Sequence, residues 1–246
     1  QKFLCLTNLP CAILLFVYFY SASLPATANE IAQLQIELGN KLYFDQNLSL
    51  NRTQSCATCH APDKGFVDHQ EKKFKGAVSL GDDGKSFGDR SAPTASYANQ
   101  IPEFHLRKNG QYVGGQFWDG READLKGQAG GPPLNSMEMG MPSKESVLAR
   151  LKENDVYIRS FKEVYGHEVF DTPESAYQAL TESIASFEKT DFFSPFNSKY
   201  DRYLEGDYQL TEQEDLGMTL FFSDQFSNCN HCHQLKAMPA TKKETF

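Results

Sequence analysis

Two short cysteine motifs, far apart in a chain of 246 residues, constrain this sequence more than any other feature. They read Cys56-Ala57-Thr58-Cys59-His60 and Cys229-Asn230-His231-Cys232-His233. C-x-x-C-H is the attachment motif of c-type haem, because two thiols at this spacing reach the two vinyl groups of one porphyrin and the adjacent histidine can bind the iron. The sequence therefore predicts two covalently bound c-type haems, with His60 and His233 as iron ligands.

Other sites that use paired cysteines fit less well. A structural zinc site built from both pairs is disfavoured, since about 170 residues separate Cys59 from Cys229. A thioredoxin-like redox pair needs a βαβ context, and the sequence shows no period-2 strand pattern. Haem at both motifs remains the favoured interpretation.

The first 28 residues have the organisation of a secretory signal peptide. An apolar run over 11–20 is followed by the A-x-A pattern Ala26-Thr27-Ala28, which predicts cleavage before Asn29. About ten apolar residues fall short of the roughly 20 that span a bilayer. We therefore expect an exported, periplasmic protein without a membrane span in its mature form.

Charge and cysteine content agree with export. The formal net charge of −8 becomes −9 when Lys2 leaves with the signal peptide, and an acidic exported protein is a poor candidate for binding nucleic acid. Cys5 and Cys11 leave as well, so the two haem motifs account for all four remaining cysteines.

Apolar spacings of three and four predict a mostly α fold. One helix is predicted over 30–44, and a second from Val147 through Val164, ending at Gly166. A third begins with Thr172 as N-cap and Pro173 at its first position. A fourth begins at Thr211 with a capping box and runs to 222. The intervening loop-rich region, roughly 61–142, is long enough to indicate that it wraps a large prosthetic group.

Each cysteine pair follows an amphipathic helix, which suggests two related cytochrome-c-like units. The predicted boundaries are 29–166 for an N-terminal haem domain and 167–246 for a C-terminal one. Only thirteen residues follow His233. We therefore expect the second domain to be incomplete in this chain.

Several further blocks occur in a characteristic order between and beside the motifs. The blocks are Glu37–Asp45, Arg90–Thr94, Phe117–Arg121, Gln128–Pro132, Asn135–Met139, Ser194–Phe196 and Asp201–Leu204. Together with the two haem motifs, they resemble the bacterial di-haem cytochrome c peroxidase and MauG family over essentially all of residues 30–233.

The resemblance implies roles for three further residues. Glu138 matches the family's distal acid at the N-terminal haem, where peroxide would bind, and Gln128 matches its neighbouring distal amide. A positioned carboxyl group can move a proton between the two oxygens of a peroxide. Trp118 matches a tryptophan that carries electrons between the haems. The C-terminal haem would accept electrons from a small donor protein such as a c-type cytochrome.

The sequence also departs from the family pattern. No histidine stands at 86–90, where many family members have a distal iron ligand. His69 and His105 are alternatives, although surface positions are expected for both. Ser91 replaces an asparagine associated with an inter-domain calcium, which makes calcium doubtful. A homodimer is left open.

Three functions are compatible with these features. The favoured one is a cytochrome c peroxidase that reduces hydrogen peroxide to water. The second is a MauG-like enzyme that oxidatively modifies a partner protein, and the third is a non-catalytic di-haem electron-transfer cytochrome. In the family, the sixth ligand of the second haem separates the first two, and we expect it beyond Phe246.

Overall fold

The computed structural model describes residues 27–69, 77–231, 233, 235–237 and 244–245. The apolar run of the predicted signal peptide and Cys232 of the second motif lie outside these residues. Within the described ranges, no helix is long and apolar enough to cross a membrane.

The described chain is mainly helical, as the sequence predicts, with two very short hairpins. In one hairpin, β1 (His105–Leu106) pairs antiparallel with β2 (Tyr112–Val113). In the other, β3 (Lys236–Ala237) pairs with β4 (Glu244–Thr245). Two-residue strands are too short to produce a readable alternation. The helices are α1 (Ala28–Tyr43), α2 (Cys56–Cys59), α3 (Leu125–Ala129), α4 (Lys144–Lys152), α5 (Asp155–Tyr165), α6 (Pro173–Glu188), α7 (Lys199–Glu205) and α8 (Glu212–Phe222).

Most of the predicted helices are confirmed, and one is corrected. α6 and α8 begin at the predicted caps, Thr172 and Thr211, each of which accepts a backbone N–H from three residues later. The single helix predicted from Val147 to Val164 is wrong, because it is divided into α4 and α5. Asn154 divides it: its side chain accepts a hydrogen bond from the Val156 N–H and starts a new helix.

The core forms where α1 and α6 pack together, and α4 and α5 complete it. Leu42 of α1, Leu180 of α6, Leu151 of α4 and Phe161 of α5 are fully buried. Burying a side chain of this kind contributes about 1.5–3 kcal/mol. The predicted boundary between the two haem domains lies between residues 166 and 167. α6 follows this boundary in the chain and packs on α1 and α4, which precede it. The boundary itself remains a prediction.

An aromatic cluster fixes the loops on either side of the core. The Tyr43 ring meets Phe187 and Phe193 edge to face, with centroids 5.6 and 5.3 Å apart. Phe66, from the loop after α2, lies 4.6 Å from Phe193. These rings hold the chain after α2 against the ends of α1 and α6, and so position the first cysteine motif.

Candidate haem-binding active site

The first cysteine motif lies on α2, a single helical turn. The Ser55 N–H donates to the Thr58 hydroxyl at 2.9 Å, and the His60 N–H donates to the Cys56 carbonyl at 2.9 Å. Residues three apart on a helix share a face. The turn therefore places Cys56 and Cys59 side by side and leaves His60 immediately after them.

His60 is partly buried and is arranged as a neutral imidazole. Its Nδ1 lies 3.3 Å from the Phe66 carbonyl oxygen, which can only accept, so Nδ1 carries the proton. Burial lowers the pKa of His60, against the opposing effect of the Phe66 and Pro93 carbonyls. A neutral imidazole whose N–H is held by a backbone carbonyl is typical of a metal-ligating histidine. The hydroxyl of Tyr43 donates to the His60 carbonyl at 3.2 Å and anchors the backbone there.

A cavity of about 420 Å³ opens beside these three residues. Its volume lies in the range of cofactor and ligand pockets. The structure brings every candidate residue of the first unit into its wall. Those residues are Cys56, Cys59, His60, Trp118, Gln128 and Glu138.

Glu138 stands on a tight loop. Its N–H donates to the Asn135 carbonyl at 3.0 Å, and the Asn135 amide donates to Glu138 Oε1 at 3.0 Å. Met139 and Met141 are buried beside it, whereas Met137 is 40% exposed. Burial raises the pKa of Glu138, while the Asn135 hydrogen bond and the Arg121 charge act in the opposite direction. The protonated form of this carboxyl is therefore favoured more than in an ordinary glutamate.

Gln128 approaches the cavity from α3. Asp124 caps this helix by accepting the Gly127 N–H at 2.8 Å. The Gln128 side chain is partly buried in the same wall as Glu138. An amide there can donate to one oxygen of a small ligand and accept from another group.

Trp118 forms one rim of the cavity and is 63% exposed. Its indole N–H donates to the Ser91 carbonyl at 2.8 Å. The Arg121 guanidinium lies 3.6 Å from the centre of the Phe117 ring and pairs with Asp119 at 2.9 Å. The rim is thus held by a charge cluster, and the large indole faces outward.

Two further polar side chains in the wall were missed by sequence reasoning. Gln54 and Glu188 are only 7% and 6% exposed, and one oxygen of each has no hydrogen-bond partner among the described residues. Burial raises the pKa of Glu188 to about 8. The one available signal was the position of Glu188, one turn after the core residue Ile184 on α6.

The histidines considered as alternative iron ligands lie elsewhere. His69 and His105 are both exposed, and His105 lies on the β1–β2 hairpin with its Nδ1 2.7 Å from the Glu103 carbonyl. Within the described ranges, His60 is the histidine that lines the cavity.

The second motif is described only in part. Cys229 is partly buried and His233 is exposed. The His233 ring lies 6.0 Å from that of Phe221 on α8. Phe221 also lines a smaller apolar cavity of about 270 Å³ between α7 and α8, together with Tyr200 and Met218.

A haem fits the first cavity by the chemistry of its wall. Two thiols at the C-x-x-C spacing, a neutral imidazole and a largely apolar surround are the groups that c-type haem requires. The unpartnered buried oxygens of Gln54 and Glu188 also indicate that a further group belongs there, since buried polar atoms are normally paired.

Comparison with known proteins agrees with this geometry. The family model described as di-haem cytochrome c peroxidase matches residues 33–209. The chain belongs to the di-haem cytochrome c peroxidase family. Members of this family are oxidoreductases, and the residues that line the first cavity lie within the matched range.

Relatives within the di-haem cytochrome c peroxidase family include both kinds of enzyme considered from the sequence. The chain is 44% identical to the methylamine utilization protein MauG of Paracoccus denitrificans over 97% of its own length and 61% of that protein's. It is 36% identical to the cytochrome c peroxidase Ccp of Escherichia coli, over 84% and 38% of the two lengths. The diheme peroxidase BthA of Burkholderia thailandensis superposes with a TM-score of 0.76 at 29% identity, over 87% and 51% of the two chains. The chain thus spans less than two thirds of the length of each of these relatives.

Proposed function

We propose that Cys56, Cys59 and His60 hold a covalently attached c-type haem at which hydrogen peroxide is reduced to water. One observation carries this proposal: a single cavity unites the haem-attachment turn with Glu138 and Gln128. An electron carrier needs the attachment turn alone. A partly buried carboxyl group and an amide in the same wall provide the proton and the hydrogen bonds that a peroxide reaction requires.

The bound haem would supply the binding site for peroxide and the electrons for its reduction. Glu138, whose pKa burial raises, donates a proton to the departing oxygen. Asn135 orients that carboxyl, and the Gln128 amide hydrogen-bonds the substrate and the water that leaves. Buried Met139 adds an apolar side chain to this wall.

Electrons would enter through a second c-type haem held by Cys229, Cys232 and His233. A small donor protein such as a c-type cytochrome would deliver them, and Trp118 on the cavity rim would carry them to the first haem. Both haems would be attached in the periplasm after export, which fits the signal-peptide pattern of residues 1–28.

The test is peroxide-dependent oxidation of reduced cytochrome c by the haem-loaded protein, compared with its Glu138→Ala variant. We expect the variant to keep its haem spectrum and to lose turnover by about 10²-fold or more. Glu145→Ala, which removes an exposed carboxyl from α4, should turn over normally. Unchanged turnover in Glu138→Ala would refute the assigned acid.

A MauG-like function is the second candidate, favoured by the 44% identity to the Paracoccus denitrificans protein. In that case the same cavity would use peroxide to oxidise residues of a partner protein. Peroxide that changes the haem spectrum without cytochrome c turnover would support this candidate. Haems whose spectra do not respond to peroxide would support a plain electron carrier.

A further inference from the structure

Glu188 is the last residue of α6 and lies in the wall of the haem cavity. It is 6% exposed, and its Oε2 has no hydrogen-bond partner among the described residues. A buried carboxyl without a partner costs free energy that an apolar residue would not. Packing alone does not explain a group that costs free energy. Its position in the wall of the proposed haem site indicates a function there.

Other titratable groups surround Glu188. Glu188 interacts electrostatically with Tyr43 of α1 and with Cys56 of α2. Both of these residues also interact with Cys59 of α2. Burial raises the pKa of Tyr43 far above neutrality, so this hydroxyl stays neutral. Thioether formation removes the two thiols as titrating groups. The His60 ring nitrogen pairs with the Phe66 carbonyl rather than with Glu188.

The rest of the cavity wall carries further charged groups. Glu138 belongs to the loop that contains Asn135, and Arg121 pairs with Asp119 at the rim. Arg90 pairs with the same aspartate at 2.9 Å, and Asp89 lies beside it. Once the thiols have reacted and the rim charges have paired, Glu188 and the partly buried Glu138 remain as the carboxyl groups of the described wall whose pKa burial raises.

Burial raises the pKa of Glu188 to about 8, which brings its titration close to neutral pH. A nearby charge moves such a titration: positive charge favours the carboxylate, and the loss of positive charge favours the protonated acid. A haem iron loses one positive charge when it is reduced. The low dielectric constant of the cavity makes the interaction stronger than it would be in water.

We propose that Glu188 is the proton-coupling site of the first haem and binds one proton as the haem gains one electron. The step balances: the donor supplies the electron, water supplies the proton, and the glutamate carboxylate becomes a carboxylic acid. No covalent bond other than the O–H bond forms or breaks. The proposal rests on the haem site proposed above, and it adds a role for a residue outside the peroxide-reacting pair Glu138 and Gln128.

The test is the reduction potential of the first haem measured from pH 5 to 9. We expect the potential to fall as the pH rises, with a slope of up to about 59 mV per pH unit, the limit for one proton per electron. The slope is confined to the range between the pKa values of Glu188 in the oxidised and reduced protein. It should disappear in Glu188→Gln and remain in Glu174→Gln, a change at an exposed carboxyl on the same helix.

Infrared difference spectra between the two oxidation states provide a second measurement. A band from a protonated carboxyl should appear on reduction of the native protein and be absent in Glu188→Gln. If that variant does not bind haem, the native spectra alone decide, and the absence of the band refutes the proposal. A slope that persists in Glu188→Gln but disappears in Glu138→Gln also refutes it.

The same samples separate this proposal from the proposed function. Haem attachment is followed by the absorption spectrum, and peroxide turnover by oxidation of the donor. A normal haem spectrum and normal turnover with a pH-independent potential would overturn the role of Glu188 and leave the proposed peroxidase function standing. A pH-dependent potential that Glu188→Gln removes, in a protein without peroxide turnover, would support Glu188 and overturn the peroxidase.

Discussion

Gly39 of α1 lies directly against the backbone carbonyl of Ser183 in α6. A Cβ atom at position 39 would overlap that carbonyl and would come within 2.9 Å of the Phe187 Cβ. Since the groups in the way include backbone, the helices would have to separate. We expect Gly39→Ala to lower the free energy of unfolding by about 1–3 kcal/mol. In a chain of this size, that lowers the midpoint of thermal unfolding by about 2–4 °C per kcal/mol.

The adjacent residue provides the control for this substitution. Asn40 is exposed on the same helix, and alanine has the higher helix propensity. Asn40→Ala should therefore be neutral or slightly stabilising. If Gly39→Ala also unfolded at or above the native midpoint, the close approach of α1 and α6 would be wrong.

Asp82 is a buried carboxylate that organises the loop before α2. Its carboxylate accepts from the Asn51 N–H at 2.5 Å and from the Thr53 hydroxyl at 2.6 Å. Desolvation raises its pKa, but the hydrogen bonds from Thr53, Asn51 and Ser49 outweigh that effect, so the pKa lies below its usual 3.8. Asp82→Asn should cost about 1–3 kcal/mol at pH 7, because buried donors lose their acceptor.

The pH dependence of this cost follows from the direction of the pKa shift. A depressed carboxyl pKa stabilises the folded state above the unfolded-state pKa, and this stabilisation is lost as the pH falls through the folded-state value. The difference between the thermal unfolding midpoints of the native protein and Asp82→Asn should therefore be largest at pH 7 and become smaller below about pH 4. Asp191→Asn, at an exposed carboxyl, should show no such difference. A difference that stayed constant down to pH 3 would contradict this account.

Local signals predicted the parts of the fold that depend on neighbouring residues. The caps at Thr172 and Thr211 act within four residues, so the starts of α6 and α8 follow from the sequence. The short α7 has a similar signal, a capping box between Ser198 and Asp201, which the sequence reading overlooked. The division between α4 and α5 was missed because the apolar spacing continues through Asn154.

The same distinction applies to the site. The C-x-x-C-H spacing is local, and the turn of α2 reproduces it. The position of Glu188 one turn after Ile184 was not sufficient to predict its burial, which depends on how α6 packs against α1. A glutamate on an apolar helix face usually extends to solvent, and only tertiary packing shows that this one does not. Trp118, in contrast, is more exposed than a lone tryptophan packed in a core would be.

Trp118 offers a direct test of the electron path. Its exposed indole donates to the Ser91 carbonyl at 2.8 Å. Phenylalanine keeps an aromatic ring there but is much harder to oxidise and loses the N–H. We expect Trp118→Phe to slow electron transfer from the second haem to the first by at least about tenfold, an amount equivalent to 1.36 kcal/mol of barrier. Stopped-flow spectra after mixing reduced protein with peroxide would measure it.

The control for this prediction is Tyr112→Phe, which changes another exposed aromatic residue on the β1–β2 hairpin and keeps its ring against Phe104. Electron transfer should be unaffected in that variant. Equal rates in the native protein and Trp118→Phe would show that electrons reach the first haem by another path.

Asn135 is expected to set the protonation of Glu138. The Asn135 amide donates to Glu138 Oε1 at 3.0 Å, and this bond lowers the pKa of a carboxyl that burial raises. Removing the donor in Asn135→Ala should raise the pKa of Glu138 further, because the carboxylate loses a stabilising hydrogen bond. If protonated Glu138 is the acid, the pH above which kcat/KM for peroxide falls should move upward in the variant. The optimum rate should fall as well, since the carboxyl is less well oriented.

Ser136→Ala, at an exposed neighbour, should leave the pH profile unchanged. A profile that moved to lower pH in Asn135→Ala would contradict the assigned direction, and an unchanged profile would show that another group controls it.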